Sequence, residues 1–216
     1  MKKILASALF IVAISYGANA QNLRINGYAA YLFDDNVDSY YDVNSYYNGK
    51  IEGGFQWGVG LEFMVKPTKG IELKYLRQDT KVPMNYYDAG AKFKEFDVAI
   101  NYILIGGSNY FDVSSEKVEP YLGLELGAAI IDVKNATNSS SAKTKFAWGI
   151  KGGTNIWLSD KVGLKIQAEL LSAVQSAGGG LYFGTGGVGA GVSTYSTMYQ
   201  FGIGGGITIK TGQGKK

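Results

Sequence analysis

From Leu23 to Lys210 the chain repeats one signature: apolar residues alternate with polar residues or glycine at a strict period of two. A period of two puts successive side chains on opposite faces of an extended strand, and no stretch here carries the 3.6-residue period of an amphipathic helix. The alternation recurs eight times, over 23–34, 54–66, 71–79, 92–104, 118–130, 144–157, 162–174 and 197–210. Most of these segments exceed the usual soluble strand of about 5–6 residues and reach the roughly 9–11 that a tilted membrane-crossing strand needs. The connections alternate too: 35–53, 80–91, 131–143 and 175–196 are long, 67–70 and 158–161 are tight turns, and 105–117 breaks the pattern. Long loops at one end and short turns at the other are the asymmetry of outer-membrane barrels. The expected fold is all-β, an eight-stranded antiparallel up-and-down transmembrane β-barrel.

Alternation alone does not say which face is inside, but side-chain size does. One face carries Phe55, Trp57, Phe63, Phe96, Tyr102, Phe146, Trp148, Tyr199 and Phe201, while the other holds many of the 31 glycines. An eight-stranded barrel has an interior just wide enough for side chains to fill, and glycine on a solvated strand costs backbone entropy with no packing return. The glycine-rich polar face is therefore expected inside, where it makes room for long side chains. On this reading the lumen holds Arg24, Glu62, Glu72, Lys74, Asp97, Glu125, Lys151, Lys165 and Glu169, four positive against five negative. Buried charges persist when paired and hydrogen-bonded, so an interlocked ion network is expected to fill the bore, the alternative being a narrow polar conduit. Trp57, Phe63, Val98, Leu124, Trp148, Ile166 and Phe201 are expected to face lipid, with Trp57, Trp148 and Trp157 near the headgroups. A soluble barrel with an apolar calyx would show the opposite facing.

The start, MKKILASALFIVAISYGANA, has two lysines, an apolar run of Ile4 to Tyr16, and small residues ending at Ala20. This is the layout of a secretory signal peptide over 1–20, cleaved after Ala20, with the barrel domain over 21–216. Removing Lys2 and Lys3 from 21 basic residues leaves 19 against 18 acidic ones, a balance that offers no stripe for nucleic acid. The chain has no Cys and no His. Disulfide scaffolds, thiol nucleophiles and most imidazole-dependent catalysis and metal sites are thereby excluded. A carboxylate pair such as Glu62 and Glu72 suits acid–base work in principle, but both belong to the expected lumen network. No residue is assigned to catalysis, a cofactor or a metal, and the chain is read as a non-enzyme.

Two loop motifs need weighing. GTGGVG, with Gly184, Gly186 and Gly189, matches a dinucleotide fingerprint by spacing, yet no helical pattern follows to aim N–H groups at a pyrophosphate. It is read as a loop. The segment 35–53 gathers Asp38, Tyr40, Tyr41, Asp42, Tyr46 and Tyr47. Clustered oxygens suit a hard cation and paired tyrosines suit a partner surface, but the strict spacing of a calcium loop is missing; a solvated polar loop with tyrosines at the headgroup girdle is the plainer reading, and a partner surface the candidate functional one.

With its leader and eight alternating segments the sequence resembles the outer-membrane protein β-barrel domain family, the small eight-stranded barrels of the OmpA/OmpX type. Members commonly finish on a strand with a glycine and alternating hydrophobic residues. The matching stretch here is Gly202, Gly204, Ile207 and Ile209, followed by the tail TGQGKK. It uses Gly for the usual polar residue and Ile where an aromatic is common. A peptidoglycan-binding domain beyond the barrel is not expected, so the plain barrel is the closer likeness. The resemblance implies an integral protein of the bacterial outer membrane with a structural or surface-recognition role through its extracellular loops, or else a narrow passive pore. The expected partners are outer-membrane lipid and an extracellular ligand or protein at the loops, the expected state a monomer.

Overall fold

The computed structural model describes residues 23–42, 45–87, 91–134, 140–174, 180–184, 187–191 and 198–212; the signal segment lies outside them. The strands in chain order are β1 (Leu23–Leu32), β2 (Asp35–Asp42), β3 (Ser45–Ile51), β4 (Gly54–Lys66), β5 (Lys69–Tyr87), β6 (Ala91–Tyr110), β7 (Val118–Lys134), β8 (Ser140–Trp157), β9 (Val162–Val174), β10 (Gly180–Gly184), β11 (Gly187–Gly191) and β12 (Met198–Lys210). Eight of them are the staves of a closed barrel in the order β4-β1-β12-β9-β8-β7-β6-β5, with β5 returning to β4. Every junction is antiparallel, including the seam where β1 meets β12 with Arg24 opposite Lys210 and Leu32 opposite Gly202. Closure leaves no raw sheet edge among the staves.

The turns follow from local chemistry. Pro67 cannot donate to a ladder and sits in the turn between β4 and β5. Between β8 and β9 the amides of Leu158 and Ser159 both donate to the Val162 carbonyl, at 2.9 and 3.1 Å. At the opposite end the connections are long. The segment 35–53 is not a plain loop: β2 and β3 form a hairpin, and β3 continues onto the far end of β5. The segment 175–196 likewise contains the hairpin β10–β11, in which Gly184 pairs with Gly187 and Tyr182 with Gly189 of the GTGGVG motif, Thr185 and Gly186 lying outside the described residues.

On β4 the outward residues Phe55, Trp57, Val59, Leu61, Phe63 and Val65 are all exposed, and the inward Gln56, Gly58, Gly60, Glu62 and Met64 are buried. Ten rises of about 3.3 Å at a tilt near 40° make this belt about 25 Å tall, the height of a hydrocarbon band. Its upper margin is ringed by aromatics: Phe33 stacks on Phe201 at 5.7 Å, Trp57 meets Tyr75 edge-on at 5.9 Å, and Trp148 meets Tyr199 at 6.4 Å.

Above this margin β5 and β6 run on, longer than the alternation alone suggested, through most of the expected loop 80–91 and down to Tyr110 at the other end. Here the polarity of the two faces inverts. The outward residues become Arg77, Asp79, Lys81, Glu95 and Asp97, while Val82, Phe96, Val98, Ile100 and Tyr102 are buried inside. Four expectations are thereby corrected. Asp97 is on the outer wall and not in the lumen, and Phe96, Val98 and Tyr102 are in the core, Val98 only 4% exposed, and not against lipid. The physical reason is the surrounding solvent. A barrel wall bathed in lipid turns its apolar face out, but a wall that rises into water must turn it in. The cue was present in Ile103 and Ile105, which face out in the belt on the same face as Asp97.

Candidate functional site

The bore is occupied at two levels. In the lower half, toward the short turns, charges from opposing walls alternate in one chain. Glu169 on β9 accepts from Lys74 on β5 at 2.6 Å, and the same ammonium reaches Glu125 on β7 at 2.7 Å. Glu125 also takes Lys151 on β8 at 2.6 Å, and Lys151 returns to Glu72 on β5 at 2.5 Å. Glu72 accepts further bonds from Asn26 at 2.7 Å and the Tyr28 hydroxyl at 2.5 Å. Below this, Arg24 grips Glu119 with both guanidinium nitrogens at 2.8 and 2.9 Å, in the bidentate geometry that favours arginine, and Tyr110 donates to Glu62 at 2.5 Å. Lys165 has its ammonium over the Tyr121 ring at 4.3 Å.

The glycines make this possible. A side chain at Gly60 would collide with the Glu72 carboxylate, and one at Gly123 would come within 2.9 Å of the Lys151 stem. The residues expected in the lumen other than Asp97, namely Arg24, Glu62, Glu72, Lys74, Glu125, Lys151, Lys165 and Glu169, are all buried in the bore. Glu119 takes the fifth acidic place. It shares the odd-numbered inward face of β7 with Tyr121, Gly123 and Glu125, a phase that extends the alternation by one step and was the available signal. Three tyrosines join the network: Tyr28 and Tyr121 share the polar face of their strands with Arg24 and Glu125, and Tyr110, in the connection expected over 105–117, ends β6 with its hydroxyl on Glu62.

Above the ion chain lies a layer of amides. Tyr102 donates to Gln200 at 2.8 Å, and Gln200 donates to Gln78 at 2.7 Å. Around and above that layer, Leu76, Val82, Phe96, Val98, Ile100, Ile131, Val133, Leu171 and Met198 belong to one apolar core. The upper bore is thus packed as a soluble barrel would be.

Of the residues expected against lipid, Trp57, Phe63, Leu124, Ile166 and Phe201 are exposed on the outer wall, and Trp148 is half-buried against Tyr199. Trp157 turns inward at the lower rim, with the Lys210 ammonium 3.6 Å from its ring centre. The calyx arrangement, with Trp57, Leu124 and Phe201 central and Glu62 and Lys151 outside, is not what the chain adopts.

At the long-loop end, Asp34 accepts from Lys50 at 2.6 Å and from the Gly53 amide at 2.7 Å, clamping the base of the hairpin. These bonds hold the Asp34 carboxyl below its ordinary range. Its neighbour Asp35 accepts from the Tyr199 amide at 2.9 Å, and burial raises its pKa. In the hairpin Asp38 pairs with Asn48, Tyr40 with Tyr46 and Asp42 with Ser45, with an irregularity at Tyr41, and Tyr47 lies opposite both Ser39 and Tyr86. The side chains of 37–49 lie outside the described residues. Among the described residues no cluster of three or more acidic side chains is arranged to hold a metal ion.

A closed eight-stranded up-and-down barrel wrapped in a 25 Å belt of exposed aliphatic and aromatic side chains is the architecture of an integral outer-membrane β-barrel protein. Solved structures share that fold. Neisserial surface protein A is similar over 87% of this chain and 96% of its own, at 17% identity and a TM-score of 0.59. The outer membrane protein OprG from Pseudomonas aeruginosa is similar over 88% and 96%, at 13% identity and 0.54. The outer membrane protease OmpT from Escherichia coli is similar over 88% and 97%, at 6% identity and 0.50. No protein-family model matches the sequence, and no curated protein matches it by sequence.

Proposed function

We propose that the chain is a sealed, non-enzymatic barrel of the bacterial outer membrane that presents its long-loop end, above all the β2–β3 hairpin, to a ligand or protein outside the cell. The observation that carries this reading is the doubly filled bore, an ion chain below and an apolar core above. Water and ions cross neither a bore filled by interlocked ion pairs nor a dehydrated hydrocarbon layer readily. Binding chemistry then belongs to the rim. Asp38, Tyr40, Tyr41, Asp42, Tyr46 and Tyr47 are the residues proposed to meet a partner, and tyrosine is well suited to that task because it combines a rigid apolar body with a polar tip.

A non-enzymatic role is supported by the absence of histidine from the sequence and by the engagement of the lumen carboxylates in ion pairs and hydrogen bonds. The proposed lipid-facing set comprises Trp57, Phe63, Leu124, Trp148, Ile166 and Phe201, and the proposed state is a monomer. Planar-bilayer recording tests the seal. The folded protein is expected to give no reproducible single-channel steps; steps whose size changes on Glu62→Gln or Lys151→Gln substitution would replace this reading with a narrow pore. Surface proteolysis of whole cells, followed by capture with a hairpin 35–53 peptide, tests the loop role.

A further inference from the structure

The outer wall is not uniformly covered. Across four neighbouring staves one outward row reads Phe63, Ile71, Gly107, Leu124, so a row of large side chains has a gap at β6. Around that gap is a groove of about 540 Å³, within the range of about 300–1,000 Å³ that small-ligand sites span. Its sides are Ile71 and Leu124, 50% and 64% exposed, and Phe111 closes its lower end. Lys66 and Lys69 line the same groove where β4 turns into β5, and neither forms an ion pair among the described residues. Gly107 is exposed, and a side chain added there would meet nothing closer than the Gly70 carbonyl at 3.9 Å. The gap is therefore not required by packing within the protein.

We propose that this groove is a binding site for one anionic glycerophospholipid of the leaflet on the short-turn side, an acyl chain lying over Gly107 and the phosphate facing Lys66 and Lys69. The assignment rests on the membrane reading of the belt and deepens it. The groove lies within the belt, where an acyl chain is the solvent, and its only charged lining residues are two cations at headgroup level. An anionic headgroup complements them, and the chain gains packing that a smooth wall does not give. A second outward glycine, Gly27 on β1, also has open space beside it but is flanked in its row by Val59 and Ile207 with no lysine in that row.

Native mass spectrometry of the folded protein, released from micelles holding equal phosphatidylglycerol and phosphatidylethanolamine, tests the site. The wild type is expected to retain one phosphatidylglycerol in preference. Gly107→Leu should abolish that retention, Gly27→Leu should leave it intact, and Lys66→Gln with Lys69→Gln should weaken it about fivefold per lysine. Equal retention of the two lipids, or retention insensitive to either the glycine or the lysine change, overturns the site. Insertion into vesicles is scored separately for each variant: a wild type that stays in the aqueous phase defeats the membrane reading itself, whereas one that inserts without lipid preference defeats only the groove.

Discussion

Glu125 is the hub of the ion chain, and its neutralisation is the sharpest perturbation available. Its two oxygens take Lys74 at 2.7 Å and Lys151 at 2.6 Å, and the residue is 1% exposed. Removing one partner of a buried ion pair costs about 3–5 kcal/mol because a charge is left uncompensated. In Glu125→Gln two ammoniums lose a carboxylate at once, but each retains another, Glu169 at 2.6 Å for Lys74 and Glu72 at 2.5 Å for Lys151. The expected loss is therefore at the lower end, about 3 kcal/mol, which is a factor of about 150 in the folding equilibrium. Urea unfolding in lipid vesicles, followed by the heat-modifiable shift on gels, measures it. Replacing the pair together, Lys74→Met with Glu125→Leu, should recover part of the loss, since well-packed apolar substitutes often match a buried pair. Bilayer recordings of Glu125→Gln should stay silent, because the apolar core above still seals the bore. A loss below about 1 kcal/mol would mean that the chain is solvated and screened, and the argument for a filled bore would fail.

Three other outcomes follow from the geometry. Val98→Asp puts an unpaired carboxylate among Phe96, Ile100 and Ile131 and should cost at least about 2–3 kcal/mol, while Asp97→Leu on the watered outer wall should stay within about 0.5; urea midpoints compare them. In single-tryptophan variants, brominated acyl chains should quench Trp57 and Trp148 strongly and Trp157 weakly, since Trp157 turns into the lower rim. The depressed Asp34 carboxyl contributes stability that is fully present above its unfolded pKa, about 3.9, and is lost as pH falls through the lower folded value. The protection of the Gly53 amide against exchange, taken relative to the free amide at each pH, should therefore be flat from neutrality to about pH 4 and fall below it, and Asp34→Asn should remove that dependence.

How far the sequence reached is clear from particular strands. On β4, Trp57 to Phe63 outside and Glu62 inside were legible because size and glycine content both pointed the same way. On β6 the same rule put Phe96 and Val98 outside, and it failed because it assumed one solvent along the whole strand. Polarity depends on height relative to the bilayer, and height is set by strand pairing, which places Asp97 level with Lys81 and Ile103 level with Tyr75. The charge types of the network were legible, but the partners were not. Lys74 and Glu169 are 95 residues apart and meet only because barrel closure brings β5 and β9 to face one another.

The seam between β1 and β12 joins the two staves most distant in sequence. Until β12 has docked, the ribbon carries two long unpaired margins whose amides and carbonyls invite a neighbour's strand, so a partly made chain is an aggregation hazard in any aqueous compartment. Zipping that margin is also the step with the greatest loop-closure cost. Insertion is therefore expected to be all-or-none, with the final ladder acting as the latch rather than as one more increment.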